Sequence, residues 1–221
     1  MIIVSLTSWT KRIGNVRAVV ASLLDQKMMP DKIEVNLSLD EFPKRMIDLP
    51  SDLQKFISDN SKIVKINWVK GNDGVFKKFI PVLKKYPFDD FYLLSCDDDW
   101  LYRNDYIKSM MFYLEQFKAD TFCLANAKVI GNRQIYRPGV FKPDFYEKLT
   151  KDVIDTRIDD MYIEHYLTSK GKKFSSFRPD DVKDMTKRYN QIFPNSHNDE
   201  NGEYSIQDIN KASGIIKKIK F

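Results

Sequence analysis

With 221 residues, 43% hydrophobic and 30% charged, the chain has the balance of one globular domain, and it contains no apolar run long enough to span a bilayer. A net charge of +5 permits attraction to phosphates or anionic lipid headgroups, while the absence of helix-turn-helix, zinc-finger and aromatic-basic RNA signatures argues against nucleic acid as a partner. Cys96 and Cys123 define no disulfide framework and are expected to be buried free thiols; Met1-Ile2-Ile3-Val4-Ser5 lacks the basic n-region of a secretory signal, so a cytoplasmic location is expected.

In chain order, Ile2-Ile3-Val4-Ser5-Leu6 reads as a buried parallel strand, followed by the polar loop Thr7 to Arg12. Val16, Val19, Val20, Leu23 and Leu24 recur at helical spacing. Ile33 to Leu37 alternates as a second strand, Asp40 to Pro50 is loop-like, and a short helix is predicted around Asp52 to Ser58. Ile63 to Trp68 is the third strand, and Gly71-Asn72-Asp73-Gly74 is a turn. Phe76, Phe79, Ile80 and Leu83 mark a helix face in which Pro81 predicts a kink or a late start. The fourth strand, Phe91 to Cys96, ends in three aspartates. Asn104 or Asp105 can cap the next helix, whose stripe is Ile107, Met110, Met111, Leu114 and Phe117.

Beyond Asp120 the rhythm changes. Thr121 to Leu124 and Gln134 to Tyr136 read as strands, with Pro138-Gly139 as a turn. A helix is predicted from about Arg157 to Lys170, with Thr156 and Asp159 in capping-box spacing and Gly171 as its stop. The tail, Ile215 to Phe221, is both basic and apolar. Strand and helix alternate through the first half, which predicts an α/β fold with a mostly parallel sheet flanked by helices. One domain is expected, in two halves, 1–118 and 119–221, the second carrying the tail.

Asp97-Asp98-Asp99 carries the most chemistry. Like charges disfavour one another's ionisation, so a carboxylate cluster needs a compensating cation. Mn²⁺ or Mg²⁺ suits carboxylate oxygens and leaves positions for substrate phosphates. If strand geometry persists, Asp97 and Asp99 face one way and can share a metal, while Asp98 faces the other. A solvated acidic turn with Asp99 as a helix cap accounts for the triplet equally well.

Several segments in order resemble the family-2-like glycosyltransferases of GT-A fold. Ile3 to Ser8 with Lys11-Arg12-Ile13 is similar to their first strand and nucleotide loop, and Ser22 to Gln26 with Pro30 to Ile33 to their first helix and second strand. Lys78 to Pro87 is similar to the stretch before the metal strand, and Asp97-Asp98-Asp99 to the DXD motif. Tyr136 to Phe141 and Asp159 to Tyr162 resemble the acceptor-side loop and acidic helix start, so the likeness spans roughly residues 1 to 170.

The resemblance implies a nucleotide-sugar donor at the carboxyl ends of the strands, with Asp97 and Asp99 holding Mn²⁺ or Mg²⁺ and Asp98 contacting the ribose or the metal. It places Asp73 near the nucleobase, Arg12 and Lys78 near the diphosphate or sugar, and Thr7 and Ser8 near the nucleoside. Each also has a plainer explanation as turn, surface or loop chemistry. Asp160 matches the general base that deprotonates the acceptor hydroxyl, with Asp159 as the alternate; acids in a first helical turn also suit the helix dipole. His197 is a weaker candidate metal ligand, and His165 is expected to be structural. Trp9, Trp100 and Tyr136 flank these segments and could offer sugar-stacking faces.

The resulting expectation is a metal-dependent glycosyltransferase that moves a sugar, UDP-linked by preference, to a hydroxyl of a saccharide or lipid-linked saccharide with inversion. Bacterial surface polysaccharide or lipopolysaccharide synthesis is the setting the resemblance implies. Residues 215–221 could touch an anionic membrane surface, although an ordered terminal element explains them too. Two alternatives stand beside this: a sugar nucleotidyltransferase, against which the lone Gly14 counts, and a non-catalytic saccharide- or partner-binding protein.

Overall fold

The computed structural model describes residues 1–123, 133–176, 186–188 and 206–221. Its strands are β1 (Ile2–Thr7), β2 (Lys32–Ser38), β3 (Val64–Val69), β4 (Tyr92–Ser95), β5 (Trp100–Tyr102), β6 (Thr121–Cys123), β7 (Gln134–Tyr136), β8 (Phe174–Ser176) and β9 (Thr186–Arg188). Its helices are α1 (Val16–Leu24), α2 (Ser51–Asp59), α3 (Ile80–Lys85), α4 (Tyr106–Gln116), α5 (Asp144–Glu147), α6 (Lys151–Thr156), α7 (Asp159–Ser169) and α8 (Ile206–Ile216). A seven-stranded sheet runs in the order β3-β2-β1-β4-β7-β6-β8, and β5 pairs antiparallel with β9 outside it. β1, β2, β3 and β4 are mutually parallel, whereas β7 runs antiparallel to both β4 and β6.

Apolar runs of β1 and β4 have a simple cause: both sheet faces are covered. Val4, Leu6 and Leu94 join a core with α1, α2 and α4, through Val19, Leu53 and Leu114. Ile3 and Leu93 face a second core with Phe79 of the preceding turn, Phe145 of α5 and Tyr162 of α7. Burying each such aliphatic side chain contributes roughly 1.5–3 kcal/mol. The alternation in β2 does not mark a solvated face, for Glu34 is fully buried. Lys85 Nζ donates to both its oxygens at 3.0 Å, Asn67 Nδ2 donates at 2.7 Å and the Tyr86 hydroxyl donates as well, so the charge is paired as a buried carboxylate must be.

Pro81 acts as the sequence predicts. The segment opens as a 3₁₀ turn, Gly74–Lys78, and α3 begins only at Ile80, with Pro81 in the first turn where no amide hydrogen is missed. Two capping expectations are corrected. Asp105 precedes α4, but its carboxylate binds Arg103; Gln26 Oε1, from beyond the end of α1, accepts from Ile107 N at 3.0 Å instead. The helix expected from about Arg157 to Lys170 forms as α7, and a separate short helix, α6, ends just before it. Arg157 adopts φ 57°, α6 stops there, and Thr156 bonds its own turn, donating to Val153 O, and forms no box with Asp159. Gly171 does stop α7: at φ +62° it donates to Thr168 O (3.1 Å) while Lys172 N donates to Leu167 O (2.9 Å), the Schellman pair.

The tail also differs from a free amphipathic end. Ile216 is buried, and Ile215, Ile219 and Phe221 pack on the second core. Phe221 meets Tyr162 and Tyr166 edge-on, and His165 Nε2 lies 2.8 Å from Ile219 O, which gives that histidine its structural role. Among the described residues no helix is long and apolar enough to cross a membrane. Cys96 and Cys123 are buried and free.

Candidate active site

In the order β3-β2-β1-β4, chain connections leave β1 and β4 in opposite directions, and such switch points are where open α/β sheets bind ligands. β1 ends at Thr7, and the loop after it carries Ser8 and Arg12; the segment after β4 carries the triplet. The structure brings them together. Ser8 Oγ donates to Asp98 Oδ2 at 2.6 Å, and Arg12 Nη1 lies 2.8 Å from Asp98 Oδ1 and 3.2 Å from Asp99 Oδ2. Thr7 instead donates to Asn36 O at 2.7 Å, stitching β1 to β2.

The expected alternation within the triplet does not hold. β4 ends at Ser95, and the backbone turns through Asp98 and Asp99 into β5. Tyr102 of β5 fixes this turn: its hydroxyl accepts from Asp97 N at 2.9 Å and donates to Asp97 O at 3.2 Å. Consequently Asp98 and Asp99 share Arg12, whereas Asp97 faces Lys78, 3.0 Å from its Nζ. Asp98 is only 5% exposed, and burial pushes its carboxyl up to about 6 against the opposing pull of Arg12 and Ser8.

Lys78 joins the two acidic segments. Its Nζ also lies 3.0 Å from Asp159 Oδ2, at the start of α7. Burial disfavours its charge, yet Asp159, Asp97 and Asp160 together outweigh that and hold its pKa well above the ordinary lysine value. Asp159 is buried and Asp160 half-buried. Burial first, and then the neighbouring Asp159, raise the Asp160 carboxyl well above the ordinary aspartate range, although Lys78 and Arg133 oppose them.

Asp73 sits half-buried in the loop after β3, just before the 3₁₀ turn. The adjacent Lys77 is buried and reaches Glu41 Oε2 (3.1 Å) and Asn72 Oδ1 (2.7 Å), tying the loops after β2 and β3 together. Close by, Thr10, Ile13, Glu41, Phe42, Pro43 and Asp48 line a cavity of about 240 Å³. Tyr136 is 1% exposed and donates to Gln134 Oε1, so it offers no stacking face to a sugar. Trp100 stands beneath the Arg133 guanidinium, 3.7 Å from its ring centroid. His197 lies outside the described residues.

No protein-family profile matches this chain, and no curated protein matches it. Solved structures do. One is S. aureus TarS, with TM-score 0.56 and 12% identity over 80% of this chain and 35% of that one. Another is S. aureus TarS 1-349 in complex with UDP-GlcNAc, with TM-score 0.55 and 12% identity over 80% of this chain and 56% of that one. A third is the mannosyltransferase PcManGT from Pyrobaculum calidifontis in complex with GDP-Man and Mn²⁺, with TM-score 0.57 and 13% identity over 81% of this chain and 55% of that one. The fold is the GT-A glycosyltransferase fold. This chain spans between 35% and 56% of the length of these three proteins.

Within this GT-A fold the triplet can be tested for its fit to a divalent cation. Asp97 Oδ2 is buried and accepts no hydrogen bond, an orphaned anionic acceptor of the kind a cation satisfies. Among the described residues no three His, Cys, Asp or Glu side chains are grouped so as to hold a metal ion. Mg²⁺-type sites commonly take one or two carboxylates and complete their shell with water and substrate phosphates. The donor set therefore suits a cation that arrives with a diphosphate. Tyr102 and Arg133 escaped sequence reasoning. The first is an aromatic residue three places beyond the triplet, and the second precedes β7 with no local motif.

Proposed function

We propose that this chain is a metal-dependent glycosyltransferase that moves a sugar from a nucleoside diphosphate sugar to a hydroxyl of a saccharide or lipid-linked saccharide. The observation that carries this reading is a convergence: an aspartate triplet and a second acid pair, two elements far apart in sequence, meet across Lys78 at the switch point of a GT-A sheet. The nucleotide sugars bound by the TarS fragment and by PcManGT support the donor class. UDP-linked donors remain the first choice, and bacterial surface polysaccharide synthesis, at the cytoplasmic side, is the proposed setting.

In this reading residues 1–118 hold the donor and 119–221 present the acceptor. Thr7, Ser8, Arg12, Asp73 and Asp98 line the donor side, and Asp97 and Asp99 are the residues that hold Mn²⁺ or Mg²⁺. When bound, that ion supplies Lewis-acid stabilisation of the departing diphosphate. The acceptor oxygen attacks the anomeric carbon from the face opposite the leaving group. Its C–O bond forms as the bond to the diphosphate oxygen breaks, and the configuration inverts. Asp160 takes the hydroxyl proton. A carboxylate whose pKa is raised by burial is a stronger base than an exposed aspartate. Any contact with an anionic membrane falls to Lys217, Lys218 and Lys220, since the apolar tail residues face the core. Each contributes about 1 kcal/mol at such a surface.

A thermal-shift screen over UDP- and GDP-sugars, with and without Mn²⁺, tests the donor side. Stabilisation by one nucleotide class that needs Mn²⁺ and disappears in Asp99→Asn is expected. Equal stabilisation of wild type and variant would remove Asp99 from the metal site.

A further inference from the structure

Lys78 looks, from sequence, like a cation for the donor diphosphate. Its surroundings say otherwise. The side chain is 4% exposed, and its Nζ meets Asp97 on one side and Asp159 on the other, each at 3.0 Å. An ammonium has three N–H donors, and two are directed at protein carboxylates. Both ends of this bridge are anchored. Asp97 is gripped at its backbone by the Tyr102 hydroxyl, and Lys78 closes a 3₁₀ turn pinned by buried Phe76 and by the Lys77 contacts to Glu41 and Asn72.

The amino end of α7 needs such an anchor. Ile158 stands at its N-cap and offers no side-chain cap, and Arg157 before it is in the left-handed region, which is uncommon for a residue with a Cβ. The start of α7 therefore lacks a side-chain cap at Ile158 and follows a residue in an uncommon backbone conformation. Asp159 in the first turn is where an acid suits the helix dipole, and it is the residue Lys78 holds. Asp160 follows directly, so its position depends on where that first turn is fixed.

We infer that Lys78 is a positioning residue: its ammonium ties the start of α7 to the aspartate triplet and so sets the distance between Asp160 and the donor site. The inference rests on the transferase reading and assigns Asp159 to the bridge, leaving Asp160 as the acid that acts on the acceptor. It also removes Lys78 from the donor-binding set.

The test uses the full chain with Lys78→Met, Asp159→Asn and both together. Affinity for UDP-GlcNAc and GDP-Man with Mn²⁺ is measured by calorimetry, and kcat by nucleoside diphosphate release. Each single variant should lower kcat on the order of 100-fold, the scale of a 1 Å misplacement, while the donor Kd changes less than about threefold. The double variant should be no slower than the worse single one, because both break the same bridge. A tenfold or greater loss of donor affinity in Lys78→Met, with Asp159→Asn binding normally, would overturn the proposal and make Lys78 a donor ligand. Multiplying kcat losses in the double variant would overturn it too. If Lys78→Met does not fold, Asp159→Asn carries the test through the same two readouts. Wild-type protein that neither binds nor turns over these donors would instead sink the transferase reading. The bridge is then judged by unfolding temperatures, where sub-additive losses support it and additive losses reject it.

Discussion

Asp97, Asp98, Asp99, Asp159 and Asp160 converge on a space where Arg12 and Lys78 supply the paired cations. The two acidic segments are not equivalent. Asp98 is held by a serine and an arginine, Asp97 keeps one oxygen unsatisfied, and Asp160 has its carboxyl raised without a lysine of its own. Asp160→Asn should therefore leave donor affinity unchanged and lower kcat by about 10²–10⁴-fold, the usual range for a positioned proton acceptor. Steady-state kinetics beside calorimetry checks this, and near-normal turnover would exclude Asp160 as the base. The thiols give a second prediction. Burial pushes Cys96 up to about 12, and both Cys96 and Cys123 are almost wholly enclosed, so neither sulfur is accessible to a reagent. Ellman titration should find no reactive thiol in the native protein and two after unfolding. That both residues are free and buried was readable from their number and scatter. The division of labour within the triplet was not, because it depends on a backbone turn enforced by Tyr102, and alternation assumes a strand that has already ended.

Elements on the second face of the sheet are held by aromatic packing. Phe145 is fully buried, with Phe79, Phe141, Tyr162 and Tyr166 around it, and Tyr162 donates its hydroxyl to Phe145 O. Phe145→Ala should cost about 3–5 kcal/mol by the combined loss of transfer energy and packing. Denaturant unfolding measures it, and a loss under 1 kcal/mol would mean that α5 does not brace α7. Helices with a plain apolar stripe, α1 and α4, were legible within a residue or two. α5 and α6 were not, since neither exceeds six residues and the break at Arg157 uses a left-handed conformation that no glycine announces. β5 and β8, three residues each, carry too little pattern to be read. The cap on α4 comes from Gln26, remote in sequence, and local rules point only to Asn104 or Asp105.

At the scale of the molecule, parallel order β3-β2-β1-β4 was implied by alternating strands and helices, and the site falls where that order reverses direction. β7 links the halves; Gln134 to Tyr136 was legible as a strand, but its antiparallel insertion between β4 and β6 was not foreseeable from three residues. The topology sets the acid pair opposite the triplet, and the account stands on that opposition having a chemical purpose. Its most direct test is nucleoside diphosphate release from UDP-GlcNAc and GDP-Man with Mn²⁺, by wild type and Asp99→Asn. Metal-dependent release of UDP or GDP by the wild type, lost in the variant, is the expected result. Exchange of pyrophosphate into the nucleotide sugar, or no release from any nucleotide sugar by folded wild-type protein, would contradict it.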